Sequence, residues 1–282
     1  MAMDNPPVVA MMRALNQGAE DIWLRTHQQW PDINIDVVAH IGSTNTALMD
    51  VARAGQLTHT RVMLAAEQTQ GRGRLGKPWL TRVGDALTFS IALPWPASLP
   101  LAGLSLATGV AITRALEATS HTDTDRFTPR IKWPNDIWVN DQKLAGILVE
   151  VCGQAQQRCV VIGVGVNLYP PTGVLSHSGV APTGLANYMG DGVPPDASAV
   201  VSNCVVQLVN MLRQFKRNGF ETFAAEFDAL DALKGRALHL SDGSQGTALG
   251  VDAEGGLRLQ GASGAVQTII SQEVSVRPCV SQ

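Results

Sequence analysis

Lysine is scarce in this chain: of 21 basic residues, five are lysines (Lys77, Lys132, Lys143, Lys216 and Lys234). Cysteine is thin as well. Cys152, Cys159, Cys204 and Cys279 stand far apart and form no C-x-x-C pair, which argues for reduced, mostly buried thiols rather than a disulfide framework. Six histidines (His27, His40, His59, His121, His177, His239) are scattered, with neither H-E-x-x-H nor a Cys/His spacing that suits zinc. No structural metal is expected. Long apolar runs are missing: none nears the roughly 20 residues of a membrane helix. The opening Met-Ala-Met-Asp-Asn-Pro-Pro has no basic segment followed by an apolar stretch, so no secretion signal is read there. The net charge is only −3, which gives no global drive toward nucleic acid. Together these absences predict a cytoplasmic, metal-poor, globular enzyme or binding protein with no membrane partner, although a local basic cluster could still matter for nucleic acid.

With 282 residues, 45% of them apolar, the chain can bury one large core and a small one. Val8, Val9, Met12, Leu15, Ile22 and Trp23 recur at loosely helical spacing before Pro31, which predicts a helical extension over residues 1–35. Strands are expected at 36–41, 61–66, 86–93, 137–139, 143–150 and 158–166, with a short extended piece at 130–133. Asn140-Asp141 suits the positive φ angles of a tight hairpin. Helices are expected from a cap at Ser43-Thr44-Asn45 to about Gly55, then over 99–118, 196–217 and 219–230. The Pro- and Gly-rich residues 170–195 read as a long loop. From Lys234 the texture changes to short β-like runs punctuated by glycine, which predicts a small barrel-like domain. The expected division is 1–35, 36–232 and 233–282.

Gly71-Arg-Gly-Arg-Leu-Gly76-Lys77-Pro78-Trp79 is the most informative stretch. By letter it fits a dinucleotide fingerprint and the start of a P-loop. Context rejects both: Pro78 stands where a P-loop needs Ser or Thr for magnesium, and a strand rather than a helix follows. What remains is a glycine loop with three cations, Arg72, Arg74 and Lys77, suited to wrapping a phosphate or carboxylate. Lys132-Trp133-Pro134-Asn135-Asp136 packs a cation, an indole, an amide and a carboxylate into five residues, and Pro134 is expected to hold them extended on a rigid element. Lys143 opens an apolar strand that ends at Glu150. Three of the five lysines thus lie in these regions, and a lysine is a compact point charge for a phosphate oxygen. Gly163-Val-Gly165-Val-Asn167 ends a strand with two glycines and an amide; alone it marks no more than close packing.

In this order along the chain, these segments resemble the biotin–protein ligase family: Ser43-Thr44-Asn45, Gln68-x-x-Gly71-Arg-Gly-Arg74 with Trp79, Lys132 to Asp136, Lys143 to Glu150, and Gly163-x-Gly-x-Asn167. The resemblance implies an α+β fold, a mixed sheet with helices like that of class II aminoacyl-tRNA synthetases and lipoate ligases, plus an SH3-like C-terminal domain. It implies that ATP, with Mg2+ near Asp136, activates biotin as its adenylate before transfer to a lysine of a biotin carboxyl carrier protein. Biotin would be held by Ser43, Thr44, Asn45, Gln68, Gly71, Arg72 and Lys143, and the nucleotide by Arg74, Lys77, Trp79, Lys132, Asn135 and Asn167. Lys143, Arg72, Arg74 and Asp136 are the expected catalytic residues. The alternatives are a lipoate ligase-type acyl transferase of the same fold and a non-catalytic sensor of biotin or nucleotide. Some family members begin with a DNA-binding helix-turn-helix domain; here some 35 residues with few basic side chains (Arg13, Arg25) precede the first strand, so no DNA binding is expected. An edge strand could pair with a second copy to give a homodimer.

Overall fold

The computed structural model describes residues 5–79, 82–119, 127–154, 157–171, 180–190, 192–241, 243–270 and 276–278. The elements run α1 (Pro6–Thr26), β1 (Asn34–Ile41), α2 (Thr44–Arg53), β2 (Arg61–Gln68), β3 (Ala86–Pro96), α3 (Leu104–Thr119), β4 (Arg130–Lys132), β5 (Asp136–Val139), β6 (Gln142–Gln154), β7 (Gln157–Asn167), α4 (Ala197–Asn218) and α5 (Glu221–Leu230). Five short strands follow: β8 (Ala237–Leu240), β9 (Gln245–Val251), β10 (Leu257–Gln260), β11 (Val266–Ile269) and β12 (Val276–Pro278).

β1 to β7 form one sheet in the order β1-β2-β3-β7-β6-β5-β4; β1 pairs parallel with β2 and every other neighbour is antiparallel. β8 to β12 form a second, antiparallel sheet in the order β11-β10-β9-β8-β12. The architecture is therefore the expected α+β one, with a small C-terminal β-sheet domain.

The large sheet is unequal on its two faces, and the strand period of two explains why. On β3, Leu87, Phe89, Ile91 and Leu93 point to the main core that α1, α3 and α4 cover; on β7, Val160, Ile162, Val164 and Val166 do the same. Each such side chain, when fully buried, contributes about 1.5–3 kcal/mol. The alternate residues are Thr88, Ser90 and Ala92 on β3, and Val161, Gly163, Gly165 and Asn167 on β7. They face the other way, where α2 alone packs through Leu48 and Met49 onto Met63, Ala92, Cys159 and Val161. One face is thus a dry core. The other carries small and polar groups and leaves room beside α2.

Several expectations are corrected. α3 begins at Leu104, not Leu99: Pro100 lies inside the expected helix, and Gly103, at φ 74, turns the chain just before it. Pro134 does not extend its segment. The Trp133–Pro134 bond is cis, and Asn135 N–H donates to Lys132 O at 3.2 Å, so the chain doubles back from β4 into β5. Trp133 therefore turns away and donates from Nε1 to Gly255 O at 2.9 Å, linking the sheet to the C-terminal domain. Asn140 and Asp141 adopt φ 51 and 59, the expected hairpin. The expected loop at 170–195 is described only in part. Its described residues include a 3-10 turn, Leu185–Tyr188, and a bridge from Pro182 to Lys143.

Cys152, Cys159 and Cys204 are free thiols, and burial pushes Cys204 up to about 12; Cys279 lies outside the described residues, as do His121 and His177. Among the described residues no helix is long and apolar enough to cross a membrane.

Candidate active site

A cavity of about 220 Å³ opens on the α2 side of the sheet. Its lining gathers Ser43, Thr44, Asn45, Gln68, Arg72, Arg74, Lys77, Trp79, Lys132, Asn135, Asp136, Lys143 and Asn167, which is every residue the sequence nominated except Gly71. Gly71 lies behind the wall. Its carbonyl accepts from Trp79 N–H at 2.8 Å, and a Cβ there would come within 2.4 Å of Trp79 O. That close approach accounts for the glycine.

The cavity has two chemically different ends. At one end Ser43 caps α2, its Oγ accepting from Thr46 N–H, so Thr44 and Asn45 are held in the first turn of the helix. Thr44 N–H donates to Gln68 Oε1 at 2.8 Å, and Thr44 Oγ1 lies 2.7 Å from Ser90 Oγ. Ser90 donates to Asn45 Oδ1, and Asn45 Nδ2 donates to Glu150 Oε2, both at 2.8 Å. This end is uncharged at its surface and dense in hydrogen-bonding groups.

The other end is cationic. Lys143 Nζ sits 2.7 Å from Asp136 Oδ1. Lys132 is buried 5.7 Å from the Trp138 ring centroid. Burial holds its ammonium below the ordinary lysine range, with Asp136 opposing that shift and Lys143, Arg74 and Lys77 adding to it. Arg74 reaches Asn135 Oδ1 at 3.3 Å, and its burial likewise lowers its affinity for a proton. Four cations (Arg74, Lys77, Lys132, Lys143) gather about one carboxylate, Asp136, among the described lining residues, while a fifth, Arg72, lies nearer Thr46 and Glu150. In a protein of net charge −3, that concentration marks a seat for an anion.

The glycine loop is a small hairpin that closes on itself. Arg72 pairs with Pro78, Gly73 N–H donates to Lys77 O at 2.7 Å, and Leu75 at the tip takes φ 55 and is exposed. The hairpin lays the Trp79 indole across the mouth. Gly146 and Gly165 face each other on β6 and β7 and make the floor beneath it; a Cβ on Gly165 would lie 2.5 Å from the ring. Gly163 is glycine for a parallel reason: its Cβ would fall 2.4 Å from Asn45 Oδ1. The weak Gly-x-Gly-x-Asn signal is thereby explained, since its first two alternate positions must yield their space to Asn45 and Trp79. The third, Asn167, donates to Thr183 O at 2.9 Å and to Lys143 O at 3.4 Å, which ties down the 180–183 wall.

Sequence reasoning missed Thr88, Ser90 and Gly146, and gave Glu150 no role. Thr88 and Ser90 were visible as the polar alternates in an otherwise apolar strand.

Known proteins resemble this chain in sequence and fold. The profile of the biotin/lipoate A/B protein ligase family matches residues 37–167. The bifunctional ligase/repressor BirA of Salmonella typhimurium is 30% identical over 258 residues, 90% of this chain and 77% of that one. The biotin–[acetyl-CoA-carboxylase] ligase of Paracoccus denitrificans is 30% identical over 244 residues, 84% of this chain and 98% of that one. The chain belongs to the biotin protein ligases of the biotin/lipoate A/B protein ligase family.

The fold of this ligase agrees with that membership. The biotin protein ligase from Aquifex aeolicus, solved in complex with biotin and ATP, superposes with a TM-score of 0.73 at 24% identity and covers 87% of this chain and 99% of its own. The ligase's two-ended cavity is lined by the larger sheet, its loops and the first turn of α2.

Proposed function

We propose that the protein activates biotin with ATP as biotinyl-5'-AMP, releasing pyrophosphate, and transfers the biotin to a lysine of a biotin carboxyl carrier protein. One observation carries this reading: a neutral hydrogen-bonding pocket and a cluster of cations that includes Lys143 line a single cavity. A molecule with a polar ring at one end and a carboxylate at the other fits that gradient, with its carboxylate delivered to the cations. Biotin has that shape. Relatives named for biotin ligation, and a relative structure holding biotin and ATP, support the same assignment.

In this reading Ser43, Thr44, Asn45 and Gln68 take the ureido ring, Gly71 fixes the base of the loop, and Arg72 and Lys143 receive the carboxylate. Arg74, Lys77, Lys132, Asn135 and Asn167 hold the nucleotide, and Trp79 covers it. The carboxylate oxygen attacks the α-phosphorus, the bond to the β,γ-pyrophosphate breaks, and the developing charge meets cations already in place. No protein nucleophile is needed. Among the described residues no group of three metal-binding side chains exists, so a magnesium ion suits this site as a passenger on the phosphates, with Asp136 beside it, and would supply further charge neutralisation there. The hairpin of residues 71–79 shields the mixed anhydride from water. The neutral amine of the carrier lysine then attacks the acyl carbon, forming the amide and releasing AMP.

The test is direct. The protein is incubated with ATP, magnesium, biotin and a biotin carrier domain, while pyrophosphate and the carrier mass are followed. The expected result is an ATP-dependent mass gain of one biotinyl group that disappears with lipoate and with Lys143→Ala. Modification with lipoate alone would overturn the substrate assignment. Tight biotin binding without pyrophosphate release would make the protein a sensor.

A further inference from the structure

We infer that Glu150 is a positioning residue that sets the direction of the hydrogen bonds linking Asn45, Ser90 and Thr44 in the neutral end of the cavity, so that Thr44 Oγ1 accepts from a ring N–H of the ligand. The inference rests on the ring-binding role proposed above for that end. Glu150 itself does not line the cavity; it acts through Asn45.

The argument is a proton count. A carboxylate accepts and does not donate, so Asn45 must turn its amide nitrogen to Glu150 Oε2 and its carbonyl to Ser90. Ser90 is fully buried and owns one hydroxyl proton, which goes to Asn45 Oδ1 at 2.8 Å. At its 2.7 Å contact with Thr44, Ser90 must therefore accept, and Thr44 must donate. Thr44's single hydroxyl proton is then committed. Gln68 Oε1, 3.1 Å from Thr44 Oγ1, is held instead by the Thr44 backbone N–H at 2.8 Å. Thr44 Oγ1 is left presenting lone pairs. A ligand ring must bring an N–H to that oxygen, as a ureido ring does and a dithiolane cannot.

Without the carboxylate, the amide of Asn45 is free to turn over. Its nitrogen would then donate to Ser90, Ser90 would donate to Thr44, and the Thr44 proton would swing to Gln68 or into the cavity. On its Oδ1 side Asn45 lies over Gly163, which offers no side chain to hold the amide in one orientation. Glu150 is itself held from the far side by Arg72 at 3.6 Å, so the same carboxylate ties the glycine-loop hairpin to the ring pocket.

The experiment compares binding of biotin with binding of its two cyclic carbamate analogues, in each of which one ring N–H is replaced by oxygen, by calorimetry on the full chain. At the Thr44 position that exchange sets two acceptors against each other, and the wild type should reject that analogue by about a hundredfold or more. Glu150→Leu should weaken biotin at least tenfold and shrink the biotin-to-analogue ratio at least fivefold, with ATP affinity changed less than threefold. Glu150→Gln keeps the shape but can donate as well as accept, so it no longer fixes the direction and should shrink the ratio to a value between those of wild type and the leucine variant. Should the leucine variant not fold, Ser90→Ala interrupts the relay at its next step and should shrink the ratio in the same way. Wild-type affinity and ratio in these variants would overturn the inference, as would an equal loss for biotin and analogue, which marks a merely structural residue. A wild-type protein that binds biotin without transferring it sinks the reaction and leaves this test standing; one that binds neither ligand overturns both.

Discussion

The Lys143 ammonium lies 2.7 Å from the Asp136 carboxylate and 5.5 Å from the centre of the Trp79 ring. The pair holds a cation in the charged end of the cavity, and the 181–183 segment fixes it further: Lys143 N–H donates to Ala181 O and its carbonyl accepts from Thr183 N–H, both at 2.9 Å. A charge so placed costs little reorganisation when negative charge develops beside it. Lys143→Ala should lower kcat for pyrophosphate release by about 10²–10³, the usual loss for one preorganised electrostatic donor. Asp136→Asn keeps the cation but loosens its aim, and a smaller loss of about tenfold is expected. Rapid-quench kinetics separates the two, and equal losses would mean that Asp136 has a part of its own.

Gly163 and Gly165 make opposite demands on their neighbours. A methyl on Gly163 would strike Asn45 Oδ1, which is locked in a buried network; Gly163→Ala should cost about 1–3 kcal/mol of stability and raise the KM for biotin. A methyl on Gly165 strikes the Trp79 ring, which hangs from a surface hairpin and can move aside. Gly165→Ala should melt within a few degrees of wild type, yet shift the tryptophan emission in a way that Trp79→Phe abolishes. If both variants lose stability equally, the indole is less free than its place on the hairpin implies.

How legible was this site in the sequence? The groups that meet the ligand were legible, because a cation or an amide at fixed spacing announces its chemistry. Lys143 and the arginines of the loop stood out by charge and position, whereas Gln68 came only from the resemblance to the family. The groups that hold them were not. Glu150 comes from β6 and Ser90 from β3, and no spacing along the chain shows that they meet Asn45 of α2. The cis bond at Pro134 was likewise invisible: the sequence shows the proline but nothing that selects the isomer of its peptide bond. Of the fold, the strand order also lay beyond reach, since β7 inserts between β3 and β6 through contacts distant in sequence.

Lys132 should betray its burial in the pH dependence of nucleotide use. Desolvation lowers its pKa from the ordinary 10.5, so on raising pH this ammonium loses its proton earlier than a solvated lysine would. A neutral amine cannot pair with a phosphate. The alkaline limb of kcat/KM for ATP, which reports the free enzyme, should therefore fall at a pH below 10.5, and Lys132→Arg should move that fall upward. A limb unmoved by the arginine would assign the titration to another group.

Asp231 tests the fold rather than the site. It follows α5, accepts from Leu233 N–H at 2.8 Å through Oδ1, and keeps Oδ2 buried without a protein partner. Burial raises its pKa, the backbone N–H groups of Leu233 and Lys234 partly offsetting the rise. A carboxyl whose pKa is raised on folding binds its proton more tightly in the native state. Its contribution to stability is thus fully present below the unfolded value of 3.8 and is lost as pH rises through the native one. Asp231→Asn has the same shape and no charge to bury. The wild type should therefore lose stability relative to the variant as pH climbs from 3.8 toward neutrality, and by pH 7 the variant should be at least as stable. Urea titrations of both proteins across that range measure the difference; a difference that stays constant with pH would mean that the carboxylate finds its missing partner in water.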